Sequence, residues 1–319
     1  MSDLAVGVDL GGTAVKVGLV DRSGTILATT RRETDAKLGP GHVLQEIIQG
    51  IRNVVDSDTQ LCAVGIGAPG SVTLDRTTVI QPPNFPGWQR VNLSEEVGSG
   101  LKNRWPVIVD NDANVAALGS AFFGAGRPFG SFIMITLGTG VGGAIIHEGR
   151  LFRGTTGSAG EIGHVSIDYN GPMAAAGIPG VVEAYVGQRF LSEHARLYLK
   201  AHPDSMVFKI TEGKDYKLDP RILAQAAEKG DSAATEILAW AGHKLGWGLG
   251  SVVNVLDIRK IIVGGGVSAA GDLILGPART ALMQAVMPGM RDGVEIIRET
   301  LCNKVGMLGA AQMAFDHAG

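Results

Sequence analysis

Apolar and polar positions along the chain change their period repeatedly, and each change marks an element. "LAVGVDL", "VKVGLVD" and "TILATTRR" are short runs rich in β-branched residues and bounded by turn residues, and they predict three strands. "HVLQEIIQGIRNVV" then spaces its apolar residues three and four apart and predicts a helix. "CAVGIGAP" and "VIVD" predict further strands, "ANVAALGSAFFGAG" a helix ended by glycines, and "SFIMITLG" and "GAIIHEGRLF" two more strands. Residues 183–257 are mainly helical in pattern, "KIIVGGG" predicts a last strand, and helical segments run from there to the C-terminus. The alternation predicts an α/β protein with a mixed sheet. The longest apolar stretch, "LAWAGHKLGWGLGSVVNVL" at 238–256, carries His243, Lys244 and Asn254 among many glycines, so it predicts a buried core helix and not a membrane span.

Two stretches repeat one pattern. Residues 6–27 and 133–152 each read as strand, glycine-rich tight turn, strand, polar turn, strand, which predicts two similar lobes. "GTGVGG" at 138–143 matches G-x-G-x-x-G literally, yet "AIIHEGRLF" follows it where a dinucleotide fingerprint would open a helix. A P-loop signature is also absent from the sequence. "DLGGT" and "TLGTG" remain, in which Gly11, Gly12, Gly138 and Gly140 let backbone N–H groups approach an anion and Thr13, Thr136 and Thr139 offer hydroxyl donors. Either turn alone is better explained as a tight hairpin. The pairing favours phosphate binding. Asp9, at a strand end before the first turn, is placed to hold a metal ion directly or through its waters. Lys16 is either a phosphate ligand or a solvated strand residue.

Composition narrows the partners. The chain has 319 residues, 45% hydrophobic and 18% charged, which allows one large or two medium globular domains. A net charge of −3 without a basic run gives no footprint for nucleic acid or an anionic membrane. The start "MSDLAVGVDL" lacks a basic region followed by an apolar one, so a cytoplasmic location is expected. Cys62 and Cys302 lie far apart in apolar neighbourhoods and read as free, buried thiols.

"VIVDNDANVAALG" sets Asp110, Asn111 and Asp112 between a strand and a helix. One such residue caps the helix for about 1 kcal/mol. Capping does not explain three.

Seven motifs in order resemble the ROK family of bacterial sugar kinases and repressors: "DLGGT", "GIGAPG" at 65–70, "PPNFPGW" at 82–88, "DNDANVAALG", "TLGTGVGGAII", "GTTGSAGEIGH" at 154–164 and "IVGGGVS" at 262–268. The resemblance spans nearly the whole chain. It implies a two-lobed actin-like ATPase (ribonuclease H-like) fold with a sugar site in the cleft, the lobes being 1–112 plus 303–319 and 113–302. With only eight residues ahead of Asp9, there is no room for the family repressors' helix-turn-helix domain, so the kinase branch is expected. ATP and Mg2+ are then the expected cofactors, bound by Asp9, Lys16, the two glycine-rich turns and Gly265, and a homodimer is the expected assembly. The resemblance marks Asp112 as the base that takes the sugar's hydroxyl proton, and Asn111, Glu161, His164 and Glu183 as sugar ligands. Asn84 is a further sugar-contact candidate or an ordinary turn residue. The expected activity is an ATP-dependent hexose 6-kinase, with glucose as the first candidate acceptor and N-acetylmannosamine, N-acetylglucosamine or fructose as alternatives. A sugar-sensing protein without catalysis is opposed by the intact Asp112, Asp9 and glycine turns. Polyphosphate remains open as a donor.

One departure from the family matters. Its zinc motif, C-x-C-G-x-x-G-C-x-E with the histidine of E-x-x-H as fourth ligand, aligns back from Glu183 to keep Gly177 and Gly180 but sets Ala174, Ala176 and Val181 at the cysteine positions. One imidazole cannot make a structural zinc site, which takes about four N or S ligands. Protein purified without chelator is therefore expected to carry substoichiometric zinc by metal analysis, with a melting temperature that EDTA leaves unchanged.

Overall fold

The computed structural model describes residues 3–319. The chain forms two compact units, one of Met1–Gly130, Ala144–Gly160 and Thr300–Gly319, the other of Ser131–Gly143 and Glu161–Glu299.

The first unit is built on β1 (Leu4–Leu10), β2 (Ala14–Asp21) and β3 (Ile26–Glu33), followed by α1 (Pro40–Val54) and β4 (Val64–Ala68). A small antiparallel sheet of β5 (Ser71–Val72), β6 (Thr78–Ile80) and β7 (Arg90–Asn92) comes next, then α2 (Leu93–Gly100), β8 (Val107–Asn111) and α3 (Asp112–Phe123). The main sheet has the order β3-β2-β1-β4-β8, with β1 antiparallel to β2 and parallel to β4, and β4 parallel to β8. Strand β4 is buried throughout, which explains its unbroken apolar sequence, whereas the outer strand β3 alternates half-buried and exposed residues. Helix α1 buries Val43, Ile47, Ile51 and Val54, one face of a 3.6-residue repeat, in a core shared with Val8, Ile66 and Leu93.

The second sheet has the order β11-β10-β9-β12-β13, made from β9 (Phe132–Leu137), β10 (Val141–His147) and β11 (Arg150–Leu151) with two later strands. Between them lie α4 (Glu183–Val186), α5 (Gln188–Leu199), α6 (Met206–Thr211), α7 (Pro220–Glu228) and α8 (Ser232–Leu256). Then come β12 (Lys260–Gly264), α9 (Asp272–Ala285), β13 (Glu295–Arg298) and the C-terminal α10 (Val305–Ala318). Strand β12 is parallel to both β9 and β13, so the two sheets repeat one order element for element and the internal repeat is real.

Strands β5, β6, β7 and β13 were not expected, and β13 replaces "KIIVGGG" as the last strand. They are two to four residues long, and β13 buries only Ile296, so no alternation marks them. Helix α8 is the buried core helix that 238–256 predicted. Added Cβ atoms at Gly242 and Gly246 would lie 2.2 Å and 2.3 Å from carbonyl oxygens of α9, so these glycines let the two helices touch backbone to backbone. Among the described residues, no helix is long and apolar enough to cross a membrane. Cys62 is half-buried but Cys302 is exposed, because it sits in the turn ahead of α10 and not in a core segment.

The first unit reaches beyond residue 112 to include α3, and α10 is the reason. This helix lies on the sheet where Gly7 and Gly65 have no side chains, since Cβ atoms there would stand 2.0 Å and 1.9 Å from the carbonyl oxygens of Met307 and Ala310. It meets α3 just as closely, a Cβ at Gly309 falling 1.6 Å from the Val115 carbonyl oxygen. Gly309→Ala is therefore expected to cost at least ~1–3 kcal/mol of stability, the usual scale of overpacking. Gly41→Ala, in open space in the first turn of α1, should be neutral or slightly stabilising. Urea unfolding of both variants checks the contrast.

Candidate active site

The three polar residues between β8 and α3 divide their work. Asn111 is the helix cap, its Oδ1 accepting the N–H groups of Ala113 and Asn114 at 2.9 and 3.3 Å. Its amide also donates to the Gly70 carbonyl at 3.0 Å, which leaves one N–H for any other partner. Asp110 is 1% exposed. Its Oδ1 accepts from Asn111 N–H and Asn114 Nδ2, both at 2.8 Å, and its Oδ2 meets Arg76 at 3.4 Å and Arg153 more closely. Burial, and then the like charge of Arg153, lower the pKa of Arg76, while Asp110 and Asp316 oppose them. Asp112 is the first residue of α3, half-buried, with Oδ1 accepting its neighbour's N–H at 2.8 Å. Arg76 and Arg153 escaped sequence reasoning because nothing in the loops that carry them points to Asp110.

The first glycine turn joins β1 to β2 and sets Asp9 directly opposite Lys16 in the ladder, their side chains paired at 2.9 Å. The start of α10 closes on the same carboxylate, for a Cβ at Gly306 would lie 3.1 Å from Asp9 Cγ. Magnesium usually takes one or two carboxylates together with phosphate oxygens, and Asp9 fits that donor set. At Gly12 an added Cβ would meet nothing within 4 Å and φ is not left-handed, so the chain itself does not require glycine there. Thr13 beside it is exposed. Asn84 is exposed at φ +66°, the turn conformation, in a loop anchored by Phe85 packed edge-on against Trp88.

In the second unit the turn between β9 and β10 carries Gly138, Thr139 and Gly140, with Thr136 just before it on β9. Gly138 is as open as Gly12. Gly140 is not, because its Cβ would stand 2.3 Å from Glu183 Oε2, the oxygen that accepts the Val141 N–H at 3.0 Å. The fold itself requires glycine at Gly265: its φ is +89° and a Cβ would lie 2.3 Å from the Leu137 carbonyl oxygen. Glu161 and His164 flank a single 3-10 turn, their side chains 3.9 Å apart. Partial burial raises the Glu161 pKa, His164 opposes the rise and the negative charge of Glu183 adds to it, so Glu161 stands within electrostatic reach of both.

The zinc motif's place is filled by backbone structure. Ala174 N–H donates to Ile178, Gly180 N–H to Pro172, and isolated bridges pair Met173 with Pro179 and Ser166 with Val181. His164 Nδ1 is buried without a hydrogen-bond partner, but Ala174 and Val181 are buried and apolar, and no group of three or more His, Cys, Asp or Glu among the described residues could hold a metal. The donors do not fit zinc. Cavities of about 480 Å³ beside Trp105 and about 440 Å³ beside Leu197 share no lining residue with any of these groups.

Duplicated sheets of this order, each with a glycine turn after its first strand, define an actin-like, ribonuclease H-like α/β protein. The ROK family model matches residues 5–317, and the chain belongs to that family. It is 35% identical over 314 residues to a glucokinase of Thermotoga maritima, covering 98% of each chain. A glucokinase of Streptomyces coelicolor is also 35% identical, over 98% of this chain and 97% of its own. Among solved structures, a ROK family glucokinase from Streptomyces griseus in complex with glucose and AMPPNP superposes with a TM-score of 0.89 at 33% identity, covering 98% of this chain and 99% of that one.

The raised pKa of Glu161 has a defined pH consequence. Its folded value lies above the ordinary 4.5, so on acidification it takes up its proton earlier than an ordinary glutamate. The native chain holds that proton more tightly than the unfolded chain, and the group favours folding as pH falls from the raised value to 4.5. If ionised Glu161 accepts hydrogen bonds from sugar hydroxyls, hexose KM should rise on acidification already above pH 4.5, and Glu161→Gln should remove that rise while keeping KM high. Initial-rate measurements across pH check this.

Proposed function

We propose that the chain is an ATP-dependent hexose kinase that transfers the γ-phosphoryl group of ATP to the 6-hydroxyl of glucose, acting in the cytoplasm as a homodimer. The observation that carries the reading is the division of labour at the start of α3. Asn111 caps the helix and Asp110 takes the arginines, and a second carboxylate, Asp112, stands beside them as the first residue of the helix. The glucose and AMPPNP held by the Streptomyces griseus relative support a hexose as acceptor and ATP as donor.

In the reaction, the sugar's 6-oxygen forms a bond to the γ-phosphorus as the bond from that phosphorus to the ADP oxygen breaks, and Asp112 accepts the hydroxyl proton. Because phosphoryl transfer is largely dissociative, proton transfer is late and Asp112 chiefly orients the nucleophile. Glu161, His164 and Glu183 hold the other hydroxyls, with Asn111 and Asn84 as further contacts. Buried polar partners left unpaired by the wrong sugar supply the discrimination. The open faces of Gly12 and Gly138 let backbone amides approach phosphate oxygens, with Thr13, Thr136 and Thr139 beside them. Asp9 is the carboxylate on which a phosphate-bound magnesium ion would rest; when bound, that ion supplies neutralisation of the phosphate charge. Lys16, paired with Asp9, adds a positive charge at the same turn.

ATP consumption across a panel of glucose, mannose, fructose and N-acetylhexosamines tests the reading, and product analysis identifies the hydroxyl. Asp112→Asn should lower kcat by roughly 10² to 10⁴, the scale of general-base loss, with little change in KM for ATP. Near-wild-type turnover in a folded variant would remove Asp112 from the mechanism.

A further inference from the structure

Glu183 is tied to the second glycine turn as firmly as to the sugar residues. Its Oε2 accepts the Val141 N–H at 3.0 Å, and the Cβ missing from Gly140 is what lets the carboxylate come that close. The main chain repeats the tie: the Gly138 carbonyl accepts the N–H of Gln188, five residues after Glu183, at 3.0 Å. From the other side, Gly163, within the turn that carries Glu161 and His164, presses on the Val141 carbonyl, since a Cβ at Gly163 would stand 2.0 Å from that oxygen. Val141 is thus braced at both its N–H and its C=O by the two segments that supply the sugar ligands. Beside Gly138, by contrast, the space that a side chain would take stays open.

We propose that Glu183 is a positioning residue for the nucleotide turn as well as a sugar ligand, one oxygen holding the backbone of Gly138–Val141 in its phosphate-binding shape and the other facing the sugar. The proposal rests on the reading of the chain as an ATP-dependent hexose kinase. A carboxylate that accepts a backbone N–H fixes the turn more strongly than a neutral acceptor does. Sugar and nucleotide then share one side chain, and a change that displaces it reaches both ligands.

The test is calorimetric binding on the full chain, with a non-hydrolysable ATP analogue plus magnesium in the absence of sugar, and separately with glucose. Circular dichroism first establishes that each variant is folded. Glu183→Ala should weaken the analogue by about ten-fold or more, as expected for a lost hydrogen bond to a charged group, and should weaken glucose as well. Glu161→Ala should weaken glucose alone. Glu183→Gln keeps an oxygen for the Val141 N–H and should retain most of the analogue affinity. Gly140→Ala should weaken both ligands in the wild-type background and add nothing to Glu183→Ala, because the new methyl acts by displacing that carboxylate. Unchanged analogue affinity in Glu183→Ala, or an equal effect of Gly140→Ala in both backgrounds, overturns the proposal. A wild-type chain that binds the analogue but phosphorylates no hexose overturns the kinase reading and leaves the analogue measurements to decide the role of Glu183.

Discussion

The buried carboxylate of Asp110 is the constraint on which the candidate chemistry depends. A carboxylate taken out of water must be compensated on nearly every lone pair, and this one is: two N–H donors reach one oxygen and two guanidinium groups the other. Those partners come from the β8–α3 junction, from the loop after β5 and from the segment after β11, so one side chain fixes three stretches of chain at the point where α3 begins. Asn111 then caps the helix, and the direction in which Asp112 leaves it follows.

Missing Cβ atoms play two different parts. At Gly7, Gly65 and Gly309 the chain fills the space itself: α10 lies on the strands and on α3 at distances no side chain would permit. At Gly12 and Gly138 the space stays open and the backbone is unstrained. The first set builds the unit. The second leaves open space beside the backbone of both turns. Gly140 belongs to the first set, with Glu183 as its occupant.

Segment 172–183 keeps its path with Ala174, Ala176 and Val181 at the positions where the motif it resembles has cysteines. Backbone bridges and the burial of Ala174 and Val181 hold the path to Glu183. A buried apolar side chain contributes about 1.5–3 kcal/mol, so several such contacts act together on this path.

The order of the long elements, the α/β class, the duplicated hairpins and the family were legible in the sequence, because each rests on a local period or on a motif of adjacent residues. Asp112 and the trio Glu161, His164 and Glu183 were legible as candidates for the same reason, as residues at fixed places within motifs. Strands such as β13, with one buried residue, were not, since they exist only through the neighbour they pair with. Tertiary structure alone decided that Asn111 and not Asp112 caps α3, that Arg76 and Arg153 converge on Asp110, that Asp9 pairs with Lys16 and that Glu183 grips the turn at Val141. The physical reason is range. Periodicity and turn chemistry act over a few residues and leave their mark in composition, whereas the Glu183–Val141 and Asp110–Arg153 contacts join residues some forty positions apart, and no local pattern records which donor a carboxylate will meet once the chain has folded.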